Sequence, residues 1–363
     1  METDIEKDTQ RLVSYWGERN NQMILDRNII NLVKTEVEKT DKTKWKDNEP
    51  KVLYDTAVNL ISSYPPRVRL PLSINFKDEE KKKMNKAERF VIGILRDLER
   101  QQIMRGRSSW LRELAYWTCS GMVPVFTRVA KEDGHVNFYA EIFDPMTVYP
   151  EWNAEGLTRL VRTYEVDKIT AVSMAEGWKQ KGLELQLQDF GDVAHVKVIN
   201  WWLNDRGKVY NAIMLGGQVV KKVTQEKFKG IPFVIGAVGV PDKISAGWGT
   251  RYFENLIASN RDMFEYTNTM VSLMATIMAE TAYPNIVSKT RTGAPILDKV
   301  QKGYGEEVPL KLEESIELLK HATTPQEVSV LMQWVNKQKQ KGGFADVVYG
   351  GVNPEDVAEL VQK

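Results

Sequence analysis

Two periodicities divide this chain. Apolar residues recur at helical spacing through the first hundred or so positions and again near the end, and they alternate with polar residues in between. Ile24, Leu25, Ile29, Ile30, Leu32 and Val33 mark one amphipathic helix that runs into the charged stretch Lys34–Asp47. Residues 1–48 therefore read as an arm that needs a surface to dock on. Val52 to Tyr64 carries Leu53, Ala57, Leu60 and Ile61 at helical spacing, and Pro65-Pro66 stops it. The segment RVRLPLSINF, from Arg67, alternates as a short strand with a proline at its edge, and Lys77–Lys86 reads as a solvated, charged turn. Ala87–Gln101 and Ser108–Ser120 are two further amphipathic helices.

From Gly121 the period becomes two. MVPVFTRV, VNFYAEIF, LTRLVRTYEV, HVKVINWWL, KVYNAIML and QVVKKVT each predict a strand. Turns fall at Glu132-Asp133-Gly134, Asp205-Arg206-Gly207 and Gly216-Gly217. The block from about 121 to 225 is thus antiparallel β, interrupted by a weak helix near Ile169–Lys181. Gly230-Ile231-Pro232-Phe233-Val234 opens an irregular segment that runs to Gly249.

Thr250–Ala282 has neither Gly nor Pro. As one helix it would extend roughly 50 Å, at about 1.5 Å per residue. Phe253, Leu256, Asn260, Met263, Thr267, Met270, Met274 and Ile277 alternate at spacings of three and four, the seam of a helix that packs on other helices. Its middle, Tyr266–Ala279, carries no charge, so it needs cover from its own chain or from copies. Fourteen uncharged residues fall short of the roughly 20 that span a bilayer. After Tyr283 come short apolar pieces (Ile286–Val287, Ile296, Val308–Leu312, Ile316–Leu319), each consistent with a small strand. Thr324-Pro325-Gln326-Glu327 is a capping box with proline at the first helical position. The helix it opens shows Val328, Leu331, Met332 and Val335 on one face and ends in Lys337, Lys339 and Lys341 before Gly342-Gly343. A glycine-rich loop follows, then a new helix start at Asn353.

The 363 residues suffice for two or three domains. Lys plus Arg (50) and Asp plus Glu (49) nearly cancel, which argues against a protein that grips nucleic acid over its whole surface. Cys119 is the single cysteine, so no internal disulfide forms. The charged opening METDIEKDTQ has no secretory-signal pattern.

Chemistry is sparse. His135, His195 and His321 are too dispersed for a metal cluster or a triad, and no phosphate loop or nucleophile elbow occurs. No cofactor is implied. Asp144 and Glu151 could form an acid/base pair, which would make the chain a soluble enzyme with a β-rich domain and a helical dimerisation region. Turn and strand-end roles explain both residues more simply. Cys119 reads as a small buried residue. Local basic features are limited to Lys337, Lys339 and Lys341 and to Lys289, Arg291, Lys299 and Lys302, which suit solvent or weak, sequence-independent phosphate contact.

The order of elements resembles the portal (head–tail connector) proteins of tailed bacteriophages. The resemblance rests on a Trp-bearing helix leading into Ser-Gly-Met-Val-Pro-Val at 120–125, a hairpin, Ile142-Phe-Asp-Pro-Met-Thr-Val-Tyr-Pro-Glu-Trp152, Gly230-Ile-Pro-Phe-Val234, Gly247-Trp-Gly, and then the long helix. It covers about 50–360. It implies an α+β, portal-like fold: an N-terminal arm (1–48), a helical and antiparallel β-rich wing (49–249), a stem helix (250–282), a small α/β clip (283–323), a second stem helix (324–342), and a tunnel loop with the start of a further wing helix (343–363). Members of that family usually continue with further wing helices and often a helical crown, whereas this sequence stops at Lys363, so it is either truncated or lacks those parts.

In function, the resemblance implies a non-enzymatic, ring-shaped homo-oligomer, a dodecamer, at one capsid vertex of the virion, assembled in the host cytoplasm without a membrane. Double-stranded DNA would pass through it during packaging and ejection. Its partners would be the terminase large subunit, a head–tail adaptor, and the major capsid and scaffold proteins. Lys337, Lys339, Lys341, Gly342 and Gly343 would face DNA. Lys289, Arg291, Lys299 and Lys302 would serve docking at the clip, and Met263, Met270, Met274 and Ile277 would pack the stem. A generic capsid or adaptor scaffold is a third reading.

Overall fold

The computed structural model of the chain describes residues 5–33, 45–64, 67–70, 78–132, 135–154, 156–177, 194–238, 253–282, 286–289, 315–318, 330, 332, 333 and 335. It is α+β, with antiparallel sheets. The chain forms two compact units. One takes Met1–Ile29 and Tyr54–Ala258, the other Ile30–Leu53 and Ser259–Lys363. Each unit joins segments that are far apart in the chain.

The first unit is built on a five-stranded antiparallel meander: β3 (Val148–Asn153), β4 (Gly156–Asp167), β5 (His195–Asp205), β6 (Lys208–Leu215) and β7 (Gln218–Gln225), in that order. Arg206 and Gly207 both take positive φ at the β5–β6 turn, where Asn204 Oδ1 accepts from the Gly207 amide at 3.1 Å. β5 and β6 lose their apolar/polar alternation in the middle. Trp201, Trp202 and Leu203 are all buried, because both faces of the sheet are covered. Trp201 meets α1 (Ile5–Tyr15) through Asp8, while Trp202, pointing the other way, packs on Phe126 and Phe233.

Phe126 and Phe233 belong to a second sheet, order β2-β1-β8, formed by β1 (Met122–Glu132), β2 (His135–Ile142) and β8 (Phe233–Ala237). The expected irregular segment after Gly230 is therefore a strand in part. Phe233 to Ala237 pairs with Phe126 to Met122, a partner more than a hundred residues earlier that local pattern does not reveal. Helices α4 (Asp78–Met104) and α5 (Trp110–Cys119) close this sheet through a cluster of Leu98, Trp110, Val123, Val125 and Ile142. Ser109 caps α5 by accepting from the Arg112 amide. The charge run before Ala87 is helical from Asp78 rather than a turn, with Glu79 and Lys83 at the supportive four-residue spacing. Arg67–Leu70 forms no strand. The weak helix is α6 (Lys168–Gly177), opened by Asp167, whose carboxylate accepts from the Thr170 amide and hydroxyl.

The N-terminal residues are part of this unit. α1 buries Ile5, Thr9 and Leu12, and Trp16 follows at the same spacing. In α2 (Gly17–Ile30), the buried positions are Arg19, Met23, Asp26 and Ile30, while Ile24 and Leu25, expected to face inward, are exposed. The inward face is mixed: Met23 and Ile30 are apolar, while Arg19 is held by the carbonyls of Pro145 and Val148.

In the second unit, α3 (Glu49–Ser63) contributes its first residues, and α7 runs from Arg261 to Ala282. The expected stem helix from Thr250 thus begins later. Phe253–Asn260 is a series of turns, because Asn255 diverts the backbone: its side chain accepts from the Ile257 amide at 3.2 Å and its carbonyl from the Ala258 amide at 2.9 Å. Phe253 instead enters the first unit's core beside Trp16. β9 (Ile286–Lys289) and β10 (Ser315–Leu318) form an antiparallel pair, near the small strands expected there. Residues 330, 332, 333 and 335 are helical, and Val335 is buried.

Candidate functional site

Helix α7 carries the residues on which the sequence reading centred. Phe264 and Thr267 are buried near its start. Beyond Thr267 the described side chains through Met278 are half-buried or exposed, although none is charged. Met263, Met270, Met274 and Ile277 are all half-buried, and Tyr266, Leu273 and Met278 stand exposed, Met278 to 66%. One part of this surface is covered by the chain itself. The Trp45 amide donates to Ser272 Oγ at 2.9 Å, Ser272 Oγ donates back to the Trp45 carbonyl at 3.3 Å, and the Asp47 amide donates to Asn268 Oδ1 at 2.7 Å. Asn268 and Ser272, one turn apart, thus hold residues 45–47 along the helix, which gives a purpose to the polar residues that interrupt its apolar pattern. Thr267, Thr269 and Thr276 turn their hydroxyls back onto the helix carbonyls four residues earlier, so they add no free polarity to the surface.

Lys289 lies on β9. Arg291, Lys299, Lys302, Lys337, Lys339, Lys341, Gly342 and Gly343 lie outside the described residues.

Asp144 and Glu151 are both engaged in the first unit. Asp144 Oδ1 accepts from Arg27 at 2.9 Å and from the Met146 amide at 2.9 Å, which caps the short 3-10 turn Pro145–Thr147. Glu151 takes a two-pronged contact from Arg11 at 2.8 and 2.9 Å. The Glu151 hydrogen bond, followed by that to Asp8, drives the Arg11 pKa above its ordinary value, against the effect of burial. Beside this pair a cleft of about 250 Å³ is walled by Tyr15, Trp16 and Trp152. Both carboxylates therefore act as anchors between the N-terminal helices and the sheet. Cys119 is buried, and desolvation pushes its thiol up to about 11, the opposite of an activated nucleophile. No group of three or more potential metal ligands occurs among the described residues, and no helix among them is long and apolar enough to cross a membrane.

One deeply buried charge has no signal in the local sequence. Arg19 is 2% exposed, with its guanidinium 4.8 Å from the Trp16 ring centre, 5.6 Å from Tyr149 and 5.9 Å from Phe253. It donates to the Pro145 and Val148 carbonyls, both at 3.1 Å, and to Asn20 Oδ1 at 2.7 Å. Burial pushes its pKa down to about 10, so it stays charged near neutrality. Trp16 and Tyr149 give no local hint of such a partner, since a cation enclosed by aromatic rings is specified by residues distant in the chain.

Neither the models of known protein families nor the curated proteins contain a match to this chain.

Proposed function

We propose that this chain is a phage portal subunit: a portal-like fold whose copies form a ring-shaped channel, a dodecamer, at one capsid vertex. Double-stranded DNA passes through the channel during packaging and ejection, without sequence-specific contact and without catalysis by this chain. Terminase and a head–tail adaptor dock at the clip, and the ring sits among major capsid and scaffold proteins in the virion.

The observation that carries this reading is the surface of α7. A helix that carries no charge from Tyr266 to Ala279 and yet has no buried described side chain from Asn268 to Met278 is suited to cover by neighbouring copies. The antiparallel pair β9–β10 after it suits a small clip. The balance of 50 cationic and 49 anionic residues suits a channel in which DNA must slide, because strong phosphate binding would stall it. The engagement of Asp144 and Glu151 in ion pairs favours this reading over an acid/base enzyme.

Native mass measurement with negative-stain imaging tests it. Particles with rotational symmetry and a central hole are expected. A monomer or dimer at every concentration would refute the ring, and closed particles without a hole would point to a scaffold.

A further inference from the structure

Arg162, on β4, is held in an unusual way. Its guanidinium carbon lies 3.5 Å from the centre of the Phe143 ring and 4.0 Å from that of Tyr164. Tyr164 stands two residues on along the same face of the strand, and Phe143 follows β2, so two separate elements fix the guanidinium. Arg162 Nε is sealed from solvent and has no acceptor. The two terminal Nη groups keep solvent contact, and no group among the described residues accepts from them.

Four other arginines of this unit have acceptors: Arg11 has Glu151, Arg27 has Asp144, Arg159 has Asp8 and Arg19 has backbone carbonyls. Leaving a partly buried guanidinium without an acceptor is costly, and its planar fork matches a carboxylate. Burial pulls the Arg162 pKa down, while Tyr164 and Glu141 act against that shift.

We propose that Arg162 is a carboxylate-binding site. Phe143 and Tyr164 hold the guanidinium in place, and its two Nη groups meet the oxygens of a carboxylate supplied either by a second copy of this chain or by a free carboxylic acid. The surrounding charges select for a single negative charge. Glu141 lies near Arg162 and 3.9 Å from Arg107, and Glu113 is near both Arg107 and Glu141. Two cations and two carboxylates already balance there, so a monoanion adds less repulsion than a phosphate dianion. Such a site does not depend on ring formation.

The sealed Nε proton is a ready reporter, because shielding from water slows its exchange. The Arg162 Nε–H resonance of the full chain, assigned by its absence in Arg162→Lys, is followed during titration with sodium acetate, with sodium phosphate and with sodium chloride at matched ionic strength, and then over rising protein concentration alone. A saturable shift with acetate, at least tenfold weaker or absent with phosphate and chloride, supports a free carboxylate. No acetate response but a concentration-dependent shift, together with self-association weakened at least tenfold in Arg162→Lys, supports a second copy as the source. A resonance that moves in none of these series, or moves with phosphate alone, overturns the proposal. The wild-type titrations are decisive even if the variant folds poorly.

Discussion

Trp201 Nε1 donates to Asp8 Oδ2 at 2.8 Å across 193 residues of chain. The same carboxylate accepts from Arg159 and Arg11, each at 3.1 Å, and its side chain is only 9% exposed. Asp8 thus ties α1 to β4 and β5 through two donors, Arg159 and Trp201, and Arg11 on α1 itself supplies a third. Asp8→Ala would strand the Trp201 indole and take one carboxylate from Arg159 and Arg11, which both keep Glu151, at a cost of about 2 kcal/mol. Asp8→Asn, which keeps one acceptor, should cost less. Urea denaturation of the purified chain measures both, and equal, negligible losses would show that the network contributes little.

Gly121 should tolerate no side chain. Its φ is +100°, and a Cβ there would lie 2.6 Å from the Phe253 carbonyl oxygen. Leu256 N donates to the Cys119 carbonyl at 2.9 Å and Val238 N to the Gly121 carbonyl at 2.8 Å, so the backbone that would have to yield is itself pinned. Gly121→Ala is expected to lose about 2 kcal/mol or more, from positive-φ strain and the backbone clash together. A thermal melt within 1 °C or so of the parent would contradict this close approach.

Alkaline pH should destabilise the first unit from about pH 9. Desolvation raises the Cys119 thiol from an ordinary 9.0 to about 11. Between those values the unfolded thiol releases its proton while the folded one keeps it. The native state then binds more protons, and stability falls as pH rises. Tyr54 adds to the loss above pH 10. Its hydroxyl is raised well beyond the ordinary value by burial, and it bonds the Tyr116 carbonyl and Ser120 Oγ, both at 2.5 Å. Denaturation midpoints measured from pH 7 to 11 should decline above pH 9, and Cys119→Ala should remove the earlier part of that decline. An unchanged pH profile in the variant would assign it elsewhere.

Replacing Met270 or Met274 by Asp should prevent assembly while leaving the helix content of the monomer intact. Both residues are half-buried in the single chain, so a carboxylate there remains hydrated until a neighbour covers it. Sedimentation together with circular dichroism separates the two effects. Intact rings from either variant would show that α7 is not an inter-subunit element.

Charge reversal of Lys337, Lys339 and Lys341 together should slow genome packaging and leave ring formation unaffected. Packaging at the normal rate with the triple variant would remove these lysines from the DNA-facing role.

The α+β class and the β-rich block were legible from local pattern, because each strand from Met122 to Gln225 alternates or runs apolar over its own length and is punctuated by turn residues. So were α5, α6 and the small strand pair, near their observed limits. What local pattern could not reveal depended on distant partners. The pairing of Phe233–Ala237 with β1 makes a strand of a segment with little periodicity of its own. Asn255 and the docking of Phe253 beside Trp16 end α7 at Arg261, although nothing from Thr250 on forbids a helix. Arg19 faces inward and Ile24 and Leu25 outward because aromatic rings and carbonyls from β3 and its approach await the guanidinium. Composition and periodicity are properties of neighbouring residues, and they settled most of the helices and strands between Met122 and Gln225. Burial of a charge, the start of a helix and an edge-strand pairing are decided by groups brought together from afar, and only the tertiary structure supplies those.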